Sequence, residues 1–207
     1  MAEKESKKPE QVQKKAIVKK RTVDKWKKKV WFNVFAPKEF ERKEIGTTIS
    51  EKPESVVGRK IEISVRDLAG QPKGQHVSIL FKIVEVKGNK AYADAFGHTI
   101  RESYLRKFTG RRSSKVETVQ LVSTKDNASL KVKTICLTGR KVDRKKEKAI
   151  RKIIESEISS VAKQTQLADI VSDLVFGNLP QKILSKVKKV SPIKRIEIVK
   201  SRLISKK

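Results

Sequence analysis

Apolar and polar residues alternate with a period of two through the middle of the chain, then switch to a period near 3.6 after Gly139. In Arg59–Asp67, Ile61, Ile63 and Val65 fall on one face and Lys60, Glu62 and Ser64 on the other, which predicts a half-buried strand. His76–Val86, the turn Lys87-Gly88-Asn89 and Ala91–Phe96 predict a hairpin. Lys115–Ser123 and Ser129–Thr138, flanking Thr124–Ala128, predict a second. Val30–Ala36 supplies Trp31, Phe32 and Phe35 and is read as the first core strand, with Trp31 in the core; Ile45–Ser50 is read as another strand. Short helices are expected over Pro37–Lys43 and Thr99–Lys107, and Gly70–Gly74 reads as a hairpin loop. Beyond Gly139, Ile150, Ile153, Ile154, Ile158 and Val161 predict an amphipathic helix over Arg144–Lys163, with Asp143 as its N-cap. A second helix is expected over Leu167–Phe176, a third opens at Pro180 and runs to about Lys189, and Ile196–Ile204 reads as a final strand.

Strands at this spacing, followed by helices, imply an α+β fold: an antiparallel β-barrel-like domain with C-terminal helices and a disordered basic N-terminal tail. The tail is placed at residues 1–24 and a single α+β domain at 25–207. Within that domain the barrel-like part spans about 30–138, the helices about 143–189, and a strand closing an edge about 196–204. Residues 1–24 are too polar to bury the apolar surface that would offset ordering entropy.

Charge changes the picture from fold to function. The 207 residues carry 51 Lys+Arg against 23 Asp+Glu, a net +28. Four windows account for all of it: Met1–Lys29 at +8, Arg101–Lys115 at +5, Gly139–Lys152 at +6 and Lys182–Lys207 at +9. A near-neutral body therefore carries four basic segments, a pattern that implies a polyanionic partner. Cys136 is the single cysteine. It excludes an internal disulfide, points to a reducing compartment, and reads as a buried structural thiol within an alternating strand. No apolar run reaches the roughly 18–20 residues that span a bilayer, and Met1–Lys29 has no secretory-type apolar core.

The usual signatures of catalysis are missing. There is no G-x-x-x-x-G-K-[ST] loop, no G-x-G-x-x-G after a strand, and no nucleophile marked by a neighbouring base. His76 and His98 are the only histidines and lack metal-ligand spacing. Asp94 and His98, four apart at a strand end, are not read as a catalytic pair. The expectation is no enzyme, no cofactor, no metal and no small-molecule substrate.

Cations in dispersed segments suit a folded RNA better than one groove of DNA, and no helix-turn-helix, finger or zipper is present. The candidate RNA-binding residues are Lys14, Lys15, Lys19, Lys20 and Arg21 in the tail, and Lys25, Trp26, Lys27, Lys28 and Lys29 at its junction with the body. Arg106, Lys107, Arg111 and Arg112 follow in the second segment, Arg140, Lys141, Arg144 and Lys145 in the third, and Lys188, Lys189, Lys194 and Arg195 in the last. Arg111-Arg112 suit bidentate phosphate contacts from a loop. Trp26 reads equally as a ring that stacks on a base and as a hydrophobic anchor. With aromatics at 5%, recognition by shape and backbone is expected over sequence reading.

A set of short motifs, in order, resembles one family. These are Trp31-Phe32-Asn33-Val34, Ala36-Pro37 with Phe40, Ile45-Gly46-Thr47, then Gly58-Arg59 with Glu62, Ser64, Asp67 and Leu68. Phe96-Gly97-His98, Ile150-Arg151-Lys152, Pro180–Ile183 and Pro192–Leu203 complete the set. Together they resemble the S-three-A family of small-subunit ribosomal proteins of archaea and eukaryotes, over about Lys25 to Leu203. The resemblance implies a β-barrel-like domain with helices, on the platform of the small ribosomal subunit near the mRNA exit and the 3′ end of its rRNA. It implies small-subunit rRNA and neighbouring platform proteins as partners, proximity to mRNA at the exit, no membrane, and a cytoplasmic, ribosomal location. The chain is similar to archaeal members, since it lacks the acidic C-terminal region of eukaryotic ones.

Overall fold

A computed structural model describes residues 26–70, 74–176 and 178–205. The expected tail at 1–24 and most of the expected hairpin loop at Gly70–Gly74 lie outside the described residues.

The strands are β1 (Val30–Phe35), β2 (Glu44–Ser50), β3 (Lys60–Ser64), β4 (Val77–Lys87), β5 (Lys90–Ile100), β6 (Lys115–Ser123), β7 (Ser129–Thr138) and β8 (Ile193–Ser205). The helices are α1 (Val65–Ala69), α2 (Glu102–Arg106), α3 (Arg144–Gln164), α4 (Leu167–Phe176) and α5 (Asn178–Val187). The α+β class expected from the sequence is present, with both hairpins and the three C-terminal helices.

The barrel is not. The eight strands form one open, branched, mixed sheet in which β5 is the hub. One edge of β5 pairs antiparallel with β4, and β4 with β3. The other edge is shared by two strands. Residues 90–92 pair parallel with β1, and residues 97–99 pair antiparallel with β8. From there one arm runs β1–β2 and another β8–β7–β6. The arms end on β2, β3 and β6, which do not pair with one another, so nothing closes. β8 likewise caps no edge: it sits between β5 and β7 and joins two halves of the sheet. Gly97 permits that junction, because a Cβ there would stand 2.1 Å from the Ser201 carbonyl oxygen.

Local chemistry explains three other departures. Ser64 ends β3 by accepting from Asp67 N–H and donating to Asp67 Oδ2, an N-cap that turns the expected strand 59–67 into α1. The expected helix at 37–43 is only a 3-10 turn at Lys38–Phe40, ended by Glu41 in the left-handed region. β5 runs on to Ile100 through its ladder with β4, leaving α2 at 102–106 rather than 99–107. Arg59 donates to Thr48 Oγ1, the Ile49 carbonyl and the Ser55 carbonyl, pinning β2 to the loop before β3.

Trp31 was expected in the core and is 59% exposed. Strand alternation gives the inner face of β1 to Phe32 and Val34, which are buried, and so turns Trp31 outward. Two buried clusters result. One lies between the β6–β7–β8 arm and the stripe Ile150, Ile154, Ile158 and Ala162 of α3, with Leu179, Ile183 and Val187 of α5. The other gathers Phe32, Val34, Ile79, Phe81, Ile83 and Ala91. Helix α4 serves both, placing Ile170 and Leu174 in the first and Val171 and Val175 in the second.

Candidate nucleic-acid interface

Three of the four basic segments meet at one end of the β6–β7–β8 arm. β6 begins at Lys115, β7 ends at Thr138 and β8 begins at Ile193, and antiparallel pairing sets these termini side by side. Ser114 and Thr138 stitch the first two segments together. Thr138 N–H donates to the Ser114 carbonyl (3.1 Å), Ser114 N–H donates to Thr138 Oγ1 (2.9 Å), and Val142 N–H donates to Ser114 Oγ (3.1 Å). Gly139 N–H donates to the Pro192 carbonyl (2.8 Å) and brings in the third. Arg106, Lys107, Arg111 and Arg112 therefore stand with Arg140, Lys141, Arg144 and Lys145 and with Lys188, Lys189 and Lys194 around one rim.

Apart from Asp143, which sits at the N-cap of α3 without a side-chain cap hydrogen bond, the carboxylates nearest these segments are engaged. Glu102 pairs with Arg106, Glu147 with Arg151, Glu197 with Arg195, and Glu117 with both Lys115 and Lys133. Those two lysines hold the Glu117 carboxyl below its usual range. Among the described residues no carboxylate pairs with Arg111, Arg112, Arg140, Lys141, Arg144, Lys145, Lys188, Lys189 or Lys194. Arg144 and Lys145 also occupy the first turn of α3, where the helix dipole disfavours cations by about 0.3–1 kcal/mol each and favours an anion. A rim of cations placed against their own electrostatic interest suits phosphates.

Arg195 behaves differently from its neighbours. Its Nε donates to Glu197 Oε1 at 2.5 Å, its guanidinium lies 4.5 Å from the Phe108 ring, and it donates to the Tyr104 hydroxyl. His76 stacks on Tyr104 at 3.7 Å between centroids, and Tyr104 meets Phe108 edge-on. Burial is the main influence that lowers the His76 pKa and raises that of Tyr104. This stack, which residue spacing did not signal, anchors the 101–108 segment to β8.

Of the remaining basic segment, the described residues 26–29 lead directly into β1. Lys14, Lys15, Lys19, Lys20, Arg21 and Lys25 lie outside the described residues. Lys27 and Lys28 are exposed, and the Lys29 ammonium sits 3.9 Å from the centre of the Trp26 ring, itself 65% exposed. Trp31 joins them as a second exposed tryptophan that the sequence reading had placed inside. The alternation of Phe32 and Val34 was the signal that could have found it.

Asp94 and His98 form no site together. Asp94 is exposed, whereas His98 is fully buried, with Nδ1 2.6 Å from Ser201 Oγ and Nε2 2.8 Å from the Ile198 carbonyl. Cys136 is buried and its thiol is pushed up to about 12 by burial, as befits a packing residue. Among the described residues no group of three or more His, Cys, Asp or Glu could hold a metal ion.

Fold and interface together define a basic α+β protein whose exposed chemistry is cationic. The Ribosomal S3Ae family matches residues 17–207, and the chain belongs to that family, one of ribosomal proteins and not of enzymes. It is 35% identical to small ribosomal subunit protein eS1 of Methanoculleus marisnigri over 183 residues, which is 88% of this chain and 93% of that protein. It is 35% identical to the eS1 protein of Sulfurisphaera tokodaii over 181 residues, 87% of this chain and 94% of that one. With the eS1 protein of Methanocaldococcus jannaschii it shares 36% over 182 residues, 88% and 82% of the two chains.

Proposed function

We propose that this protein is a structural constituent of the small ribosomal subunit that binds rRNA on the platform near the mRNA exit. The observation that carries the reading is the convergence of the 106–112, 140–145 and 188–194 segments on one rim, where among the described residues Arg111, Arg112, Arg140, Lys141, Arg144, Lys145, Lys188, Lys189 and Lys194 form no ion pair and Asp143 is the one acidic residue within the segments. Family membership and the eS1 relatives support the same role. The partners are small-subunit rRNA and neighbouring platform proteins, with mRNA passing close by, and the location is the cytoplasmic ribosome. Among the described residues no helix is long and apolar enough to cross a membrane.

Sedimentation of the tagged protein from lysate on a sucrose gradient, repeated at high salt, tests this. One copy per small subunit that survives the salt wash is expected. Release by salt, or substoichiometric occupancy, would reassign the protein to the transient ribosome-associated factors that handle or process RNA.

A further inference from the structure

The β6–β7–β8 arm has two faces. Val116, Val122, Leu130, Val132, Ile196 and Ile198 pack beneath α3 and α5. By strand alternation, the residues between them point the other way. At the Arg195 end that second face is covered: Ile135 and Leu137 are buried there, and Arg195, opposite Leu137, lies over Phe108. At the 123–129 hairpin end it is more open, with Val119, Leu121, Lys131 and Arg202 exposed and Lys133 and Lys200 half-buried, and it carries two matched rows. In one, Leu121 stands opposite Lys131, which stands opposite Arg202; in the next, Val119 stands opposite Lys133, which stands opposite Lys200.

Lys131, Lys133, Lys200 and Arg202 thus form a quadrilateral about 5 Å across the strands and about 7 Å along them. Like charges directly opposite each other destabilise a sheet. Among the described residues the only carboxylate that pairs with the group is Glu117, 3.0 Å from Lys133, and Lys131, Lys200 and Arg202 pair with none. A β-bulge creates the arrangement. Ile198 faces Thr134 and Lys200 faces Lys133, so Val199 is an extra residue. Without it, Lys200 would fall opposite Val132, on the helix-covered face. Lysines often guard sheet edges, but β7 and β8 are interior strands with neighbours on both sides, so edge protection does not explain them.

We propose that this open face is a second RNA-backbone contact surface, at the opposite end of the arm from the loop rim, in which the four cations bind phosphates. The proposal rests on the reading of the chain as an rRNA-binding protein. The cations lie one and two strands in from the β6 edge, so the occupant crosses the face rather than adding a strand. Their charge selects a phosphate backbone, with exposed Val119 and Leu121 flanking it.

The test uses the full chain and deproteinised small-subunit rRNA as probe. Binding is measured against salt for wild type and for a variant carrying Lys131→Gln, Lys133→Gln, Lys200→Gln and Arg202→Gln. The log–log salt slope is expected to fall by roughly 3, at about 0.7–0.9 per phosphate contact. The Tm is expected to hold or rise, because opposed charges have been removed. Changing the three lysines to arginine is expected to preserve the slope. An unchanged slope in the Gln variant, with wild type binding normally, overturns this surface and leaves the rRNA-binding role standing. A Tm lowered together with affinity assigns the four residues to stability and also overturns it. Failure of wild type to bind rRNA removes the functional reading itself.

Discussion

His98 satisfies all its polar atoms without touching water. Nε2 faces the Ile198 carbonyl, an acceptor only, so Nε2 carries the proton and Nδ1 accepts from the Ser201 hydroxyl, while Ser201 Oγ accepts from His98 N–H. The neutral ring fits, and burial holds the pKa below the usual 6.5, with the Ile198 carbonyl opposing more weakly. Below pH 6.5 the unfolded chain therefore binds a proton that the folded chain refuses, so stability is present above 6.5 and is lost as pH falls. Thermal unfolding of wild type is expected to show Tm declining from pH 7.5 to pH 5.5. A His98→Gln variant should start lower and decline less, though not to zero, because His76 is shifted in the same direction. A flat wild-type profile across that range would refute this account.

At the scale of elements, α4 is the piece that makes two clusters into one body. Its i, i+4 pairs Ile170–Leu174 and Val171–Val175 sit on adjacent stripes and enter different cores. Leu174→Ala is expected to cost about 2–5 kcal/mol, read from denaturant unfolding, with a single transition retained because Val171 and Val175 still hold the second cluster. The helices were legible because a 3.6-residue period over ten or more residues has few competing explanations. The strands were legible as strands for the same reason. Their pairing was not. The segment IEIVKSRLI reads identically as an edge strand and as the central strand it is, since both demand one buried face. The Val199 bulge was hidden as well, because period-two counting cannot see an extra residue absorbed by a partner. Trp31 misled for a simpler reason: a large ring suggested burial where its neighbours' alternation had already filled the inner face.

At the scale of the whole molecule, charge was readable as total and as segments, but not as geometry. The sequence could place Arg111, Arg140 and Lys188 in basic runs; only the bonds of Ser114, Thr138 and Gly139 reveal that these runs share a rim. Lys131 and Lys133 were passed over because alternating lysines look like an ordinary solvated strand face. The polar, aromatic-free sequence of residues 1–24 predicts that their deletion leaves cooperative unfolding intact while weakening rRNA binding. Loss of the cooperative transition in the truncated protein would show that the tail belongs to the fold.

β8 is the last strand in sequence, yet its neighbours β5 and β7 begin about a hundred and about sixty residues earlier. Until it arrives, one edge of β5 at residues 97–99 and one whole edge of β7 lack a partner, and the two arms have no ladder between them. Contacts this distant along the chain fold slowly, and open edges meanwhile invite pairing with other chains. During synthesis the nascent protein must therefore hold an unfinished sheet until Ile193–Ser205 emerge. Capture of the early basic loops by a polyanion in that interval would keep such intermediates apart through repulsion and bulk.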